Sequence, residues 1–156
     1  MGQTVGTSIF EIEEESVRRF AEAAGESNPL YRDAEYARKS AYGSIIVPPG
    51  YISSLWYWGT FTAQEQAEPM RKAPGLMDVI LTLSKAGYQR AIDTGMDYEF
   101  FQPIRVGDTI KAASVVKDIV ERSSGDEKAV FMVTVTTYTN QRDEVVATAR
   151  MTTAHH

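Results

Sequence analysis

The stretch GESNPLYRD, residues 25–33, sets a carboxylate (Glu26), an amide (Asn28), a phenol (Tyr31) and a second carboxylate (Asp33) in one short run. Side chains of these types can hold a water and move its proton, the work of a general acid or base. They are also ordinary turn formers. Gly25 can stop a helix, Asn28-Pro29 can turn the chain, and Asp33 can cap a following helix. Other chemistry is limited by composition. The chain has no cysteine, which excludes a thiol nucleophile, a zinc thiolate site and any disulfide. Its only histidines, His155 and His156, stand at the end of the sequence, so no imidazole is expected inside the fold as a base or a fixed metal ligand.

The elements that would position this loop follow from periodicity. In FEIEEESVRRFAEAAG, Val17, Phe20, Ala21 and Ala24 recur with the spacing of an amphipathic helix, which is expected to begin the ordered part. A short helix, AEYARKS, follows Asp33 and ends before Gly43. SIIV reads as a short strand or extended segment stopped by Pro48 and Pro49, which have no N–H for a ladder. YISSLWYW then starts a helix with Pro49 near its first turn, and its aromatics imply burial on most sides. Residues 59–75, GTFTAQEQAEPMRKAPG, read as an irregular segment, and LMDVILTLSKAG fits either a helix or an extended segment. Beyond Gly87 the pattern becomes strand-like: GMDYEFFQP, a turn at RVGD, TIKAASVVKDIVER, a turn at SSGDEK, AVFMVTVTTYTN, a turn at QRDE, and VVATARMTTA. Val133, Val135 and Thr137 alternate with Thr134, Thr136 and Tyr138, as when one face packs and the other is wetter. Helices first and an antiparallel meander second, with no βαβ alternation, predict an α+β fold. A sheet wrapped around the YISSLWYW helix would bury that helix economically.

With 156 residues, residues 1–156 are expected to form a single domain able to bury its own core. Hydrophobic residues make up 43% and charged residues 24%, and no apolar run approaches the roughly 18 residues of a membrane helix. The N-terminal residues lack a basic and apolar signal, so a cytoplasmic location is expected. The net charge of −5 is spread along the chain with Lys and Arg scattered, which predicts neither a nucleic-acid footprint nor a membrane surface.

Residues 25–33, with Ala37 and Gly43 after them, the segment Ser44-Ile45-Ile46-Val47-Pro48-Pro49-Gly50, and Glu99-Phe100-Phe101-Gln102-Pro103-Ile104-Arg105-Val106-Gly107-Asp108 together resemble the MaoC-like hydratases and dehydratases of the hotdog fold. The resemblance covers nearly the whole chain. That family carries G-D-x-N-P-L-H-x-D, then A-x-x-x-G, an apolar strand, the central helix, and later E-F-x-x-P-x-x-x-G-D. Its loop Asp and His form an acid/base dyad acting on a 2,3-enoyl thioester, and here Glu26 and Tyr31 stand in those places. A phenol's ordinary pKa, about 10, makes it a poor base near neutrality. The extra methylene of a glutamate moves its carboxylate by about an ångström, a displacement that can cost about 100-fold in rate.

G-E-S-N-P-L-Y with V-P-P before the central helix is similar to one branch, the FAS1-like dehydratase or MaoC N-terminal subfamily. The resemblance implies a non-catalytic hotdog half. It would shape an acyl-CoA tunnel beside a MaoC-like partner that supplies the Asp and His, with a bulky acyl group such as a steroid side chain among the expected substrates. No cofactor is implied, the acyl group being carried as a CoA thioester. Glu26, Asn28 and Tyr31 are expected to line the site. Pro49 and Gly50 would bring the helix start close to the thioester carbonyl as an oxyanion site, although a proline offers no N–H. Trp56 belongs to an aromatic cluster, with core packing or an acyl wall as its alternative roles. Asp108 is expected to close a turn. Arg18, Arg19, Arg38 and Lys39 are solvated or contact CoA phosphates. The rival readings are a self-sufficient homodimeric hydratase using Glu26, a non-catalytic acyl-CoA binding module, and a thioesterase.

Overall fold

β-Branched residues dominate the C-terminal half, and in the computed structural model they build one antiparallel sheet. The structure describes residues 4–58, 74–124 and 127–156. Five strands, β1 (Thr4–Glu11), β2 (Ala91–Phe100), β3 (Thr109–Ser124), β4 (Glu127–Thr139) and β5 (Val145–His155), lie in the order β1-β3-β4-β5-β2. β3, β4 and β5 form the expected meander. β1 and β2 are the outer strands, paired antiparallel with β3 and β5.

Among the described residues four α-helices accompany the sheet: α1 (Glu14–Ala23), α2 (Ala34–Lys39), α3 (Tyr51–Trp58) and α4 (Pro74–Lys85). α3 is the central one. Its Tyr51, Ile52 and Leu55 are buried in one cluster with Phe10 of β1, Ile110 and Ala112 of β3, Tyr138 of β4, and Val146, Ala147 and Ala149 of β5. Val17 of α1 and Ala37 of α2 enter the same cluster, so the helices that flank residues 25–33 are anchored to the sheet core. Among the described residues no helix is long and apolar enough to cross a membrane.

Four expectations are corrected or resolved. The ordered part begins with β1, ahead of α1; TVGTSIFE has no strict alternation and gains its strand form by pairing with β3. SIIV is reduced to a single bridge, Ile46 to Arg105. LMDVILTLSKAG is helical, and it stops at a glycine as α1 does: Tyr88 N–H donates to Leu83 O and Gly87 N–H to Ser84 O, with Gly87 at φ 103°. On β4 it is the hydroxyl-rich face, Thr134, Thr136 and Tyr138, that is buried. The irregular segment expected over residues 59–75 lies, up to residue 73, outside the described residues, as does the tip of the SSGDEK turn.

Candidate functional site

α1 ends in a Schellman arrangement that fixes where residues 25–33 begin. Glu26 N–H donates to Ala21 O (2.8 Å) and Gly25 N–H to Glu22 O (3.1 Å), with Gly25 at φ 69°. A side chain at Gly25 would be strained in that left-handed conformation. Asn28 Oδ1 then accepts from Leu30 N–H (3.0 Å), capping a single 3₁₀ turn, Pro29–Tyr31. Asp33 Oδ1 accepts from Tyr36 N–H (2.9 Å) and caps α2. Leu30 O in turn accepts from Ile46 N–H, tying the loop to the segment that leads into α3.

The loop is therefore rigidly held while its face stays open. Glu26 and Asn28 are exposed and Tyr31 is half-buried. No hydrogen bond joins the Glu26 carboxylate to the Tyr31 hydroxyl among the described residues, and Glu26 makes no ion pair there. Its carbonyl accepts a long bond from Arg32 Nη1 (3.4 Å).

A brace joins this loop's helix to the start of α3. Ser16 Oγ lies 2.7 Å from Tyr51 Oη and donates to Glu13 O at 2.8 Å, which leaves Tyr51 as the donor between the two hydroxyls. The Tyr51 ring meets Phe20 edge-on, with centroids 5.6 Å apart. Burial pushes the Tyr51 phenol above its ordinary value. Pro49 and Gly50 are exposed, but a Cβ at Gly50 would stand 3.4 Å from Phe20 Cζ, so the close approach at this glycine is by α1. Tyr51 N–H donates to Pro48 O (2.9 Å), which withdraws one donor from any oxyanion site at this helix start. Trp56 lies on α3, and its side chain is outside the described residues.

The basic residues divide clearly. Arg18 pairs with Glu15 and Glu22, Arg19 with Glu15, and Lys39 with Glu35. The Arg18 hydrogen bond, with Arg19 beside it, lowers the Glu15 carboxyl to about 2. Arg38 alone of the four has no partner among the described residues. Asp108 is buried in the turn before β3, where Oδ2 accepts from Arg105 N–H (2.8 Å) and Oδ1 from Gln141 Nε2 (2.9 Å). Both its oxygens are engaged in structure.

Two features had little signal in the sequence. The cross-strand pairs Ser114↔Thr136, Thr136↔Ala149, Thr134↔Met151, Met132↔Thr153 and Val130↔His155 put a lane of hydroxyls and one imidazole on a single buried face of the sheet. Ser114 and Thr136 bond each other at 2.8 Å, whereas Thr134, 4% exposed, makes no side-chain hydrogen bond among the described residues. His155 corrects the expectation that no histidine lies inside the fold. It is 3% exposed, part of β5, with Nε2 3.0 Å from Thr153 Oγ1, and burial lowers its pKa. Its alternation with Thr153 and Met151 was the available clue.

Residues 1–149 match the family described as FAS1-like, dehydratase domain region. The chain belongs to this family. A relative of this FAS1-like dehydratase domain is a probable enoyl-CoA hydratase alpha subunit of Thermomonospora curvata, 31% identical over 135 residues, which cover 86% of this chain and 41% of that protein. The chain thus spans less than half the length of that relative. Among solved structures, the ChsH1-ChsH2 complex of Mycobacterium tuberculosis contains a chain that superposes with a TM-score of 0.79 at 18% identity, covering 97% of this chain and 83% of that one. The HadBC (3R-hydroxyacyl-ACP dehydratase) complex of the same organism gives 0.66 at 19% identity, with 99% of both chains covered. At these identities the likeness concerns fold, and the FAS1-like dehydratase domain has the MaoC-like hotdog fold that its loop motifs implied.

Proposed function

We propose that this chain is a subunit of an (R)-type enoyl-CoA hydratase or dehydratase that shapes an acyl-CoA tunnel beside a MaoC-like partner carrying the acid/base dyad. The observation that carries the reading is the loop at residues 25–33. It is built and braced as a site loop would be, yet Asn28 and Asp33 serve as caps and no hydrogen bond joins Glu26 to Tyr31 among the described residues. Hydration of a 2,3-enoyl thioester adds a hydroxyl at C3 and a proton at C2, so it needs groups that exchange protons near neutral pH. An isolated phenol is poorly matched to that step. Here Glu26, Asn28 and Tyr31 would form one wall of the tunnel mouth, with Arg38 free to meet a CoA phosphate. The relatives, an alpha subunit and chains of two-component complexes, support a partner. The reaction would take place in the cytoplasm.

The exposure of Glu26 and the absence of an ion pair to it among the described residues favour a second reading, in which a homodimer uses that carboxylate as its base. The test is hydration of trans-2-enoyl-CoA, followed by loss of enoyl absorbance, with short-chain and steroid-sized acyl groups. The chain alone should be nearly inactive and should gain activity with a MaoC-like chain bearing intact Asp and His. Robust turnover by the chain alone, abolished by Glu26→Gln, overturns the proposal in favour of the second reading.

A further inference from the structure

The buried lane of hydroxyls holds one member that has nothing to bond. Ser114, Thr134, Thr136, Thr153 and His155 share the core face of the sheet. Ser114 and Thr136 bond each other, and Thr153 bonds His155. Thr134 is 4% exposed, and its hydroxyl makes no hydrogen bond among the described residues. Taking a hydroxyl out of water without a partner costs free energy, and a valine would fill the same space without that cost. Yet among the described residues no unpaired side-chain oxygen or nitrogen is sealed off from solvent. The Thr134 hydroxyl therefore borders space large enough for a water or for one atom of a ligand.

Its neighbours are apolar. Val116 stands opposite Thr134 on β3 and Met151 on β5, and Met132 is next on the same face of β4. Ile119, in register with Met132, lines a cavity of about 300 Å³ together with Asp78, Val79, Thr82 and Leu83 of α4. The position relative to residues 25–33 is fixed by backbone bonds. Leu30 O accepts from Ile46 N–H, Val47 N–H donates to Ile104 O and Val106 N–H to Ile45 O, so the loop is fastened to the end of the sheet where β3 begins and β4 finishes. Tyr138, packed with α3, lies near that end. Thr134 lies further in, about 13 Å along the strand. An acyl group with its thioester at the loop and its chain along β4 brings its distal part to Thr134.

We propose that Thr134 is a specificity-determining residue, which hydrogen-bonds an oxygen carried on the acyl group away from the thioester. A threonine hydroxyl donates one bond and accepts others, so it suits a hydroxyl or an oxo group on the ligand. Val116, Met132 and Met151 receive the carbon skeleton beside it, the methionines adapting to its shape. The favoured substrates are thus oxygenated acyl-CoA esters over plain hydrocarbon ones, because a site that offers a buried hydrogen bond selects against the ligand that lacks the matching group. The inference deepens the proposed function and rests on its acyl-CoA reading.

The test reads binding, so it does not depend on turnover. Octanoyl-, decanoyl- and dodecanoyl-CoA and their ω-hydroxy counterparts are titrated calorimetrically into the wild-type chain, Thr134→Val and Thr134→Ser, each alone and mixed with the MaoC-like chain of the hydration assay. At the length that sets the ligand hydroxyl beside Thr134, the preference for the hydroxylated ester over the plain one should fall about tenfold in Thr134→Val and return in Thr134→Ser. A preference that Thr134→Val leaves unchanged at every length overturns the inference, while binding of the plain esters keeps the acyl-CoA reading standing. Failure of every ester to bind overturns that reading and the inference with it.

Discussion

Tyr51→Phe probes the brace that holds the loop at residues 25–33 against the start of α3. The phenol donates to Ser16 Oγ at 2.7 Å, and Ser16 keeps its own bond to Glu13 O when the phenol is removed. No buried proton donor is orphaned, so the expected loss is that of one net hydrogen bond, about 0.5–1.5 kcal/mol. The ring and its edge contact with Phe20 are retained. Tyr51→Ala removes the ring as well and should cost about 3–5 kcal/mol, as other aromatic truncations do. In a domain of this size each kcal/mol lowers the melting temperature by about 2–4 °C. Chemical denaturation of wild type, both variants, Ser16→Ala and the Ser16→Ala/Tyr51→Phe double variant measures these losses and the coupling between the two hydroxyls. There is also a pH signature. Burial raises the folded phenol's pKa above its unfolded value, so this contribution is complete below about pH 10 and is lost as pH rises through the folded value. Tyr51→Phe should therefore show less loss of stability above pH 10 than wild type. A Tyr51→Phe cost above about 3 kcal/mol, or strict additivity in the double variant, would refute the brace.

Other expectations concern the loop and the hydroxyl lane. Asp33→Ala removes the cap of α2 and should cost about 0.5–2 kcal/mol, with faster amide exchange at Tyr36; unchanged exchange there would contradict the cap. Thr134→Val replaces a hydroxyl that makes no hydrogen bond among the described residues by a methyl and should change stability by less than about 1 kcal/mol in either direction. Thr136→Val leaves Ser114 Oγ without its bond and should cost about 1–3 kcal/mol, so urea titrations giving equal losses would refute the difference between the two sites.

What could be read from the sequence was local in origin. Gly25, Asn28 and Asp33 carry their turn and cap chemistry in their own side chains or in the lack of one, and all three act in the structure as read. The meander of β3, β4 and β5 was equally plain, since neighbouring strands share short turns. β1 was not, because its partner Val115 lies far along the chain from Thr4, and the strand exists through that pairing. The helix α4 was undecided because a short apolar run suits either state. Which face of β4 is buried depends on what α3 and the adjoining strands supply, and alternation alone is symmetric between the two. His155 looked peripheral by position, yet pairing with Ala91 and Val130 closes the sheet around it.

The strand order also has a consequence for synthesis. β2 emerges from the ribosome before β5, the strand it pairs with among the described residues, and such long-range pairings form late. Until β5 arrives both sides of β2 are open, beside the side chains of Ile92, Met96 and Phe100, a strand prone to pair with nascent neighbours. Asp93, Asp97 and Glu99 repel an identical strand throughout that interval. Acidic residues on this strand thus guard the unfinished chain against pairing with its own copies.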